Sequence, residues 1–223
     1  MQTYPANAAS TTTRGSALTT NKVLRNTYLL LGATLAFSAL MAGVSMALNV
    51  PFMGLWMLLP YFGILFAIHK TQDSAWGIFW VFALTGFMGL TLGPILNAYL
   101  TFLPNGSQII MTALGATAAV FLGLSAYAVK SERDFSFMGG FLMVGLIGAF
   151  VLGLVAFFFE LSTLSLVVSG LFVLLSSGLI LYQTSQIIHG GETNYILATV
   201  TLYVSIYNLF TSLLHLLGAA SDD

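Results

Sequence analysis

"FSFMGGFLMVGLIGAFVLGLVAFFF", Phe135–Phe159, runs its whole length without a charged side chain. A bilayer core of about 30 Å needs roughly twenty apolar residues of helix to cross it, and this segment meets that length. Apolar runs of similar length recur on both sides of it. The chain as a whole is 58% hydrophobic and 6% charged, whereas a soluble domain carries about a quarter charged residues. The runs are continuously apolar rather than alternating, which excludes a membrane β-barrel. The sequence therefore predicts an all-α, polytopic membrane protein.

Seven spans are expected: Thr27–Leu48, Val50–Ile68, Ala75 to about Leu100, Gln108–Val129, Phe135–Phe159, Leu164–Tyr182 and Tyr195–Leu217. The second has Pro51 at its start and Pro60 inside, and the third is interrupted at "LGPILN". Residues 1–26 are polar and rich in Thr, Ser, Ala and Asn. They lack the apolar stretch of a signal peptide and read as a disordered tail. Residues 27–217 form the transmembrane domain, and residues 218–223 form a short acidic C-terminal tail. Arg14, Lys22, Arg25, Lys70, Lys130 and Arg133 all fall on one side of a seven-span bundle. Basic residues accumulate on the cytoplasmic side. The N-terminus is then cytoplasmic, and Glu160 and the C-terminus lie outside.

Polar residues inside the spans mark faces turned away from lipid. Ser162, Ser169, Ser176 and Gln183 recur every seven residues on span six. Thr201, Ser205, Asn208, Ser212 and His215 share one face of span seven by their alternating spacing of four and three. A tight connection makes the two spans antiparallel neighbours, so the stripes are expected to meet in the interior. Two readings fit: interhelical hydrogen bonds, each contributing about 0.6 kcal/mol, or a hydrated path. Neither stripe holds a carboxylate or a lysine, which weighs against a proton relay.

On span three, Gly86, Gly89 and Gly93 present small residues for close helix approach. Pro94 removes a backbone donor one residue later, and Asn97 is placed to bond a freed backbone group. This kink is either structural or the broken helix of an ion site. In the six–seven connection, His189, Gly190, Gly191 and Glu192 read first as a turn. The glycines permit positive φ, Thr193 or Asn194 caps span seven, and Glu192 suits the helix dipole. The other reading makes His189 a pH sensor.

Enzymatic signatures are missing. Ser169–Gly170 has no glycine two residues upstream, no H-E-x-x-H occurs, and no Asp or Glu lies within a span. His69, His189 and His215 are isolated from one another. With no cysteine and a net charge of −1, neither a thiolate metal site nor a nucleic-acid partner is expected. No catalytic, metal or cofactor residue is expected either.

The ordered set "LTTNKVLRNTYLLL", "LTGFMGLTLGPILNAYL", "DFSFMGG" and "IIHGGETNYILATVTLYVSIYNLFTSLL" resembles the bacterial Bax inhibitor-1 family from about Leu18 to Leu217. The resemblance is nearest to inner-membrane members that modulate the AAA+ protease FtsH. It implies a seven-helix bundle in the bacterial inner membrane and binding to FtsH with its HflK and HflC partners. The alternative it offers is a calcium or proton leak through the seam between helices six and seven. Leak-type members carry an aspartate near the end of span six and another in span seven. Here "LYQTSQI" places Gln183 at the first of these latch positions and "LYVSIYNLF" places Ser205 at the second. Neither side chain titrates near neutral pH, so the resemblance favours protease modulation over a proton-controlled leak. A Gln183–Ser205 hydrogen bond remains available to hold the seam closed.

Overall fold

The computed structural model describes residues 9–131 and 133–221, with side chains from Lys22 onward. Those residues form α1 (Ala9–Ala47), a 3-10 turn (Gly54–Met57), α2 (Leu58–Thr71), α3 (Ala75–Phe102), α4 (Gly106–Ser131), a second 3-10 turn (Ser136–Met138), α5 (Gly139–Phe158), α6 (Ser162–Ile188) and α7 (Tyr195–Ala219). Helices dominate because lipid offers no hydrogen bonds, so each backbone group must be satisfied within its own segment. Six of the seven helices are long and apolar enough to cross a membrane.

The exception is the second expected span, Val50–Ile68. Its helix α2 has 14 residues, about 21 Å of length. Asn49 (φ 50°) and Gly54 (φ 57°) adopt left-handed backbone conformations, and Pro51 stands between them, so no helix forms before the 3-10 turn. Pro60 falls in the first turn of α2, where its missing N–H has no intrahelical partner to lose.

At the N-terminus, α1 begins at Ala9, inside the segment read as a tail. A helix nucleated by the apolar span extends into flanking residues at little cost. Its membrane-competent part is Lys22–Ala47. Residues 1–8 lie outside the described ones, as do Asp222 and Asp223 of the short acidic tail, whereas Gly218 packs on the Tyr99 ring.

The centre of the bundle is α7. Of its apolar window 61% is buried, against 17% for the α5 window. Tyr203, at 1% exposure, sits in the largest core cluster beside Leu84, Ile180 and Leu202. Its hydroxyl meets Ser38 at 2.6 Å and the Thr85 carbonyl at 3.3 Å, which joins α7 to α1 and α3.

Helices α1 and α3 run in the same direction. Phe37 lies against Gly86, Ser38 against Gly89 and Ser45 against Gly93, with Asn97 reaching Met46. A Cβ at Gly89 would collide with the Ser38 carbonyl, so the glycine face does bring two backbones into contact. Because this pair is parallel, the segment between them returns from one end of the bundle to the other through α2.

The "LGPILN" interruption is not a break, since α3 continues through Pro94. The carbonyl that Pro94 leaves without its usual partner is that of Leu90, four residues earlier. It accepts the Ser45 hydroxyl at 2.6 Å. Asn97, expected to serve a carbonyl freed by the proline, instead donates to Met46 O at 3.2 Å. That carbonyl belongs to the last turn of α1, where it also accepts from Asn49 N at 3.2 Å.

Candidate functional site: the α6–α7 seam and its end loop

Both polar stripes turn inward, except for Ser162 at the exposed start of α6. Gln183, Ser176, Ser169, Ser205 and Ser212 are buried, and Thr201, Asn208 and His215 are half-buried. The stripes touch where Ser169 Oγ lies 2.8 Å from His215 Nδ1, while the serine also donates to its own helix at Ser165 O. Ser205 Oγ donates to Thr201 O at 2.7 Å. Among the described residues no hydrogen bond joins Gln183 to Ser205, the bond the sequence left available. Gln183 Nε2 and Ser176 Oγ are buried without a partner. Each unpaired group costs about 1–3 kcal/mol, so these two side chains contribute no bond across the seam, where Ser169 and His215 meet instead.

The end loop is built as a helix stop followed by a helix start. His189 closes α6, and Gly190 (φ 77°) takes the left-handed position. Gly191 N then reaches back to Gln186 O at 2.8 Å and Gly190 N to Ile187 O at 3.4 Å. These are the two reverse bonds of a Schellman stop. Of the glycine pair, only Gly190 needs positive φ.

Asn194 caps α7, its Oδ1 accepting from Ile196 N (2.9 Å) and Leu197 N (3.3 Å). Glu192 Oε1 accepts from Asn194 N at 2.8 Å, next to the positive end of the helix. His189 Nδ1 lies 2.9 Å from Ser185 O and 3.3 Å from Ser185 Oγ, which ties the ring to its own last turn.

Five hydrogen bonds of this end had no sequence signal. Asn194 Nδ2 donates to Gln72 O at 3.1 Å and to Asp73 Oδ1 at 3.2 Å, fastening the α2–α3 turn to the start of α7. Ser185 Oγ donates to Arg133 O and accepts from Phe135 N at 3.0 Å, clamping the α4–α5 connection onto α6. In that connection the exposed Asp134 carboxylate accepts from Ser136 N at 2.8 Å. The Ser136 backbone and side-chain bonds, then the nearby His189, hold its carboxyl below the ordinary value against a smaller desolvation effect. Nothing in the hydrophobic pattern reports loop-to-helix fastenings of this kind.

The family model for "Inhibitor of apoptosis-promoting Bax1" matches residues 20–222. The chain belongs to the Bax inhibitor-1 family. Within the family it is 52% identical over 212 residues to "Modulator of FtsH protease YccA" of Escherichia coli strain K12, covering 94% of this chain and 95% of that one. It is 54% identical over 202 residues to an uncharacterized protein of Pseudomonas aeruginosa, covering 90% of each. An uncharacterized Neisseria meningitidis protein is 36% identical over 208 residues, covering 88% of this chain and 90% of its own. The Escherichia coli O6:H1 relative, 52% identical over 212 residues, is named as an inner membrane protein. Apolar helices and family together make this Bax inhibitor-1 member a multi-pass inner-membrane protein.

Proposed function

We propose that the chain modulates the membrane AAA+ protease FtsH, by inhibiting it or by competing with its substrates. The observation that carries this reading is the 52% identity, over nearly the full length of both chains, to a protein named as a modulator of that protease. In the reading's finer form the chain crosses the membrane seven times, with α2 and its 3-10 turn making the second crossing. The parallel α1–α3 pair supports this, because the chain between them must return across the bundle.

Orientation follows the charges. Lys22 and Arg25 at the start of the α1 span, Lys70 at the end of α2, and Lys130 and Arg133 at the end of α4 gather at one end. Basic residues favour the cytoplasm, so that end faces inward with the N-terminal segment, and the C-terminus faces outward. FtsH, with HflK and HflC, then meets the cytoplasmic end. The N-terminal segment offers a grip while the bundle resists extraction.

Affinity purification from native membranes in mild detergent tests this, against an unrelated seven-span protein at equal level. Selective enrichment of the protease with HflK and HflC is expected, and enrichment no greater than the control sinks the reading. Deleting Gln2–Thr13 tests the grip, since unchanged association and unchanged protease output refute it.

A leak through the α6–α7 seam has one observation in its favour, the unpaired buried Gln183 Nε2 and Ser176 Oγ. Calcium and proton flux in liposomes, for the native chain and for Gln183→Asp/Ser205→Asp, decides it. Flux by the native chain supports the leak, whereas flux only in the double variant assigns the native seam a closed state.

A further inference from the structure

Between α2 and α5 lies a cavity of about 690 Å³, within the roughly 300–1,000 Å³ range of small-molecule sites. Its mouth is apolar and faces outward. Phe62 on α2 and Ile147 and Phe150 on α5 line it while remaining 52%, 59% and 39% exposed. One edge-to-face pair, Phe62 with Phe150 at 6.4 Å, spans the opening. A surface that is exposed and apolar on a membrane bundle borders lipid, so this mouth opens sideways into the bilayer.

The floor is different. Thr201, Ser205 and Asn208 of α7 line it, with Tyr207 of the same helix, Thr91 of α3 and Tyr61 of α2. The hydrogen bonds sort these groups by role. Ser205 spends its proton on Thr201 O, which leaves its oxygen only an acceptor role. Thr91 donates to Met88 O, so the 3.1 Å contact with Tyr207 has the tyrosine donating and leaves the phenol oxygen as an acceptor. The Tyr61 and Thr201 hydroxyls and the Asn208 amide enter no hydrogen bond among the described residues, and they supply donors. No charged side chain lines the cavity.

The geometry points to a lateral binding site for a neutral lipid, an apolar chain carrying one hydroxyl or carbonyl that pairs with the α7 floor. Size and charge exclude the other occupants. A single helical turn fills roughly 400–600 Å³, so the cavity takes about one turn and no spanning helix. A charged headgroup would be desolvated with no counter-charge to meet it. A neutral polar group gains partners for the unused donors while its tail stays among the aromatic and aliphatic walls. The site stands whether or not the chain engages a protease.

The test uses the full chain in phosphatidylethanolamine/phosphatidylglycerol nanodiscs and a hexadecanol bearing a mid-chain diazirine. After irradiation, adducts are mapped by peptide mass spectrometry. Adducts concentrated on α2, α5 and α7, removed by excess hexadecanol and not by hexadecyl phosphate, are expected. Thr201→Val/Asn208→Leu should lower labelling about tenfold, the equivalent of one or two lost hydrogen bonds. Ile147→Trp, a change at a lipid-facing position that leaves the core alone, should block the mouth. Adducts spread evenly around the bundle perimeter and resistant to competition overturn the site. Equal competition by hexadecyl phosphate overturns the neutral headgroup. Capture of a second copy by a photoreactive residue at position 147, without lipid adducts, makes the cleft a protein interface and also refutes the proposal.

Discussion

At the scale of single residues, two side chains show how the same element type serves opposite ends. Ser45 completes a carbonyl that a proline on another helix leaves without its usual partner. Ser45→Ala should cost about 1–2 kcal/mol, read as a shift in the detergent unfolding midpoint. Gly89→Ala should cost more, about 2–3 kcal/mol, because its Cβ forces backbone against backbone where neither can rotate away. Gln183 is the converse case. Its buried Nε2 has no partner, so Gln183→Met should leave the melting temperature unchanged or raise it. A clear loss of stability in Gln183→Met would mean that the amide holds the seam after all.

At the scale of elements, the α6–α7 connection does its work by capping. Asn194 satisfies two amides of α7 and also fastens the α2–α3 turn. Asn194→Ala should therefore cost about 1–2 kcal/mol, more than a cap that touches only its own helix, and a thermal melt in detergent reads it.

The neighbouring Asp134 gives this end a mild acid sensitivity. Its folded carboxyl lies below the ordinary value of about 3.9 because the Ser136 amide favours the anion. The stabilisation is thus complete above that ordinary value and fades as pH falls through the folded one. Full exposure keeps the effect small. Wild type and Asp134→Asn should differ at about pH 6, and the difference should shrink as pH falls below the ordinary carboxylate range, as followed by a fluorescent probe on the 131–138 connection.

Whole-molecule topology is accessible because the chain has no cysteine, so single introduced cysteines report cleanly. With the proposed orientation, Asp73→Cys and Glu192→Cys should react with a membrane-impermeant maleimide only from the cytoplasmic face. Glu160→Cys should react only from the opposite face. Labelling of position 73 and of a cysteine introduced at Phe52, on the far side of α2, from the same side would remove the second crossing.

The six long helices were legible because each holds a stretch apolar enough on average to cross a bilayer. The inward turn of both stripes was legible because serine and glutamine stand out against leucine. The shortness of α2 was not, because hydropathy ignores the left-handed backbone of Asn49 and Gly54. Tyr203 went unnoticed as the central residue for a related reason. In a chain where lipid-facing and core-facing positions are equally apolar, an aromatic ring carries no label saying which way it points.

The central position of α7 has a consequence for biogenesis. The ribosome makes this helix after the other six, yet Ser38, Thr85 and Thr91 all wait for its tyrosines. Until it arrives, those three partners on α1 and α3 lack these contacts, whereas the α5–α6 cluster of Leu142, Ala149 and Leu175 needs no residue of α7. A nascent chain that stalls before Tyr195 therefore leaves the α1–α3 pair without the helix its buried hydroxyls address, while the α5–α6 pair can already pack.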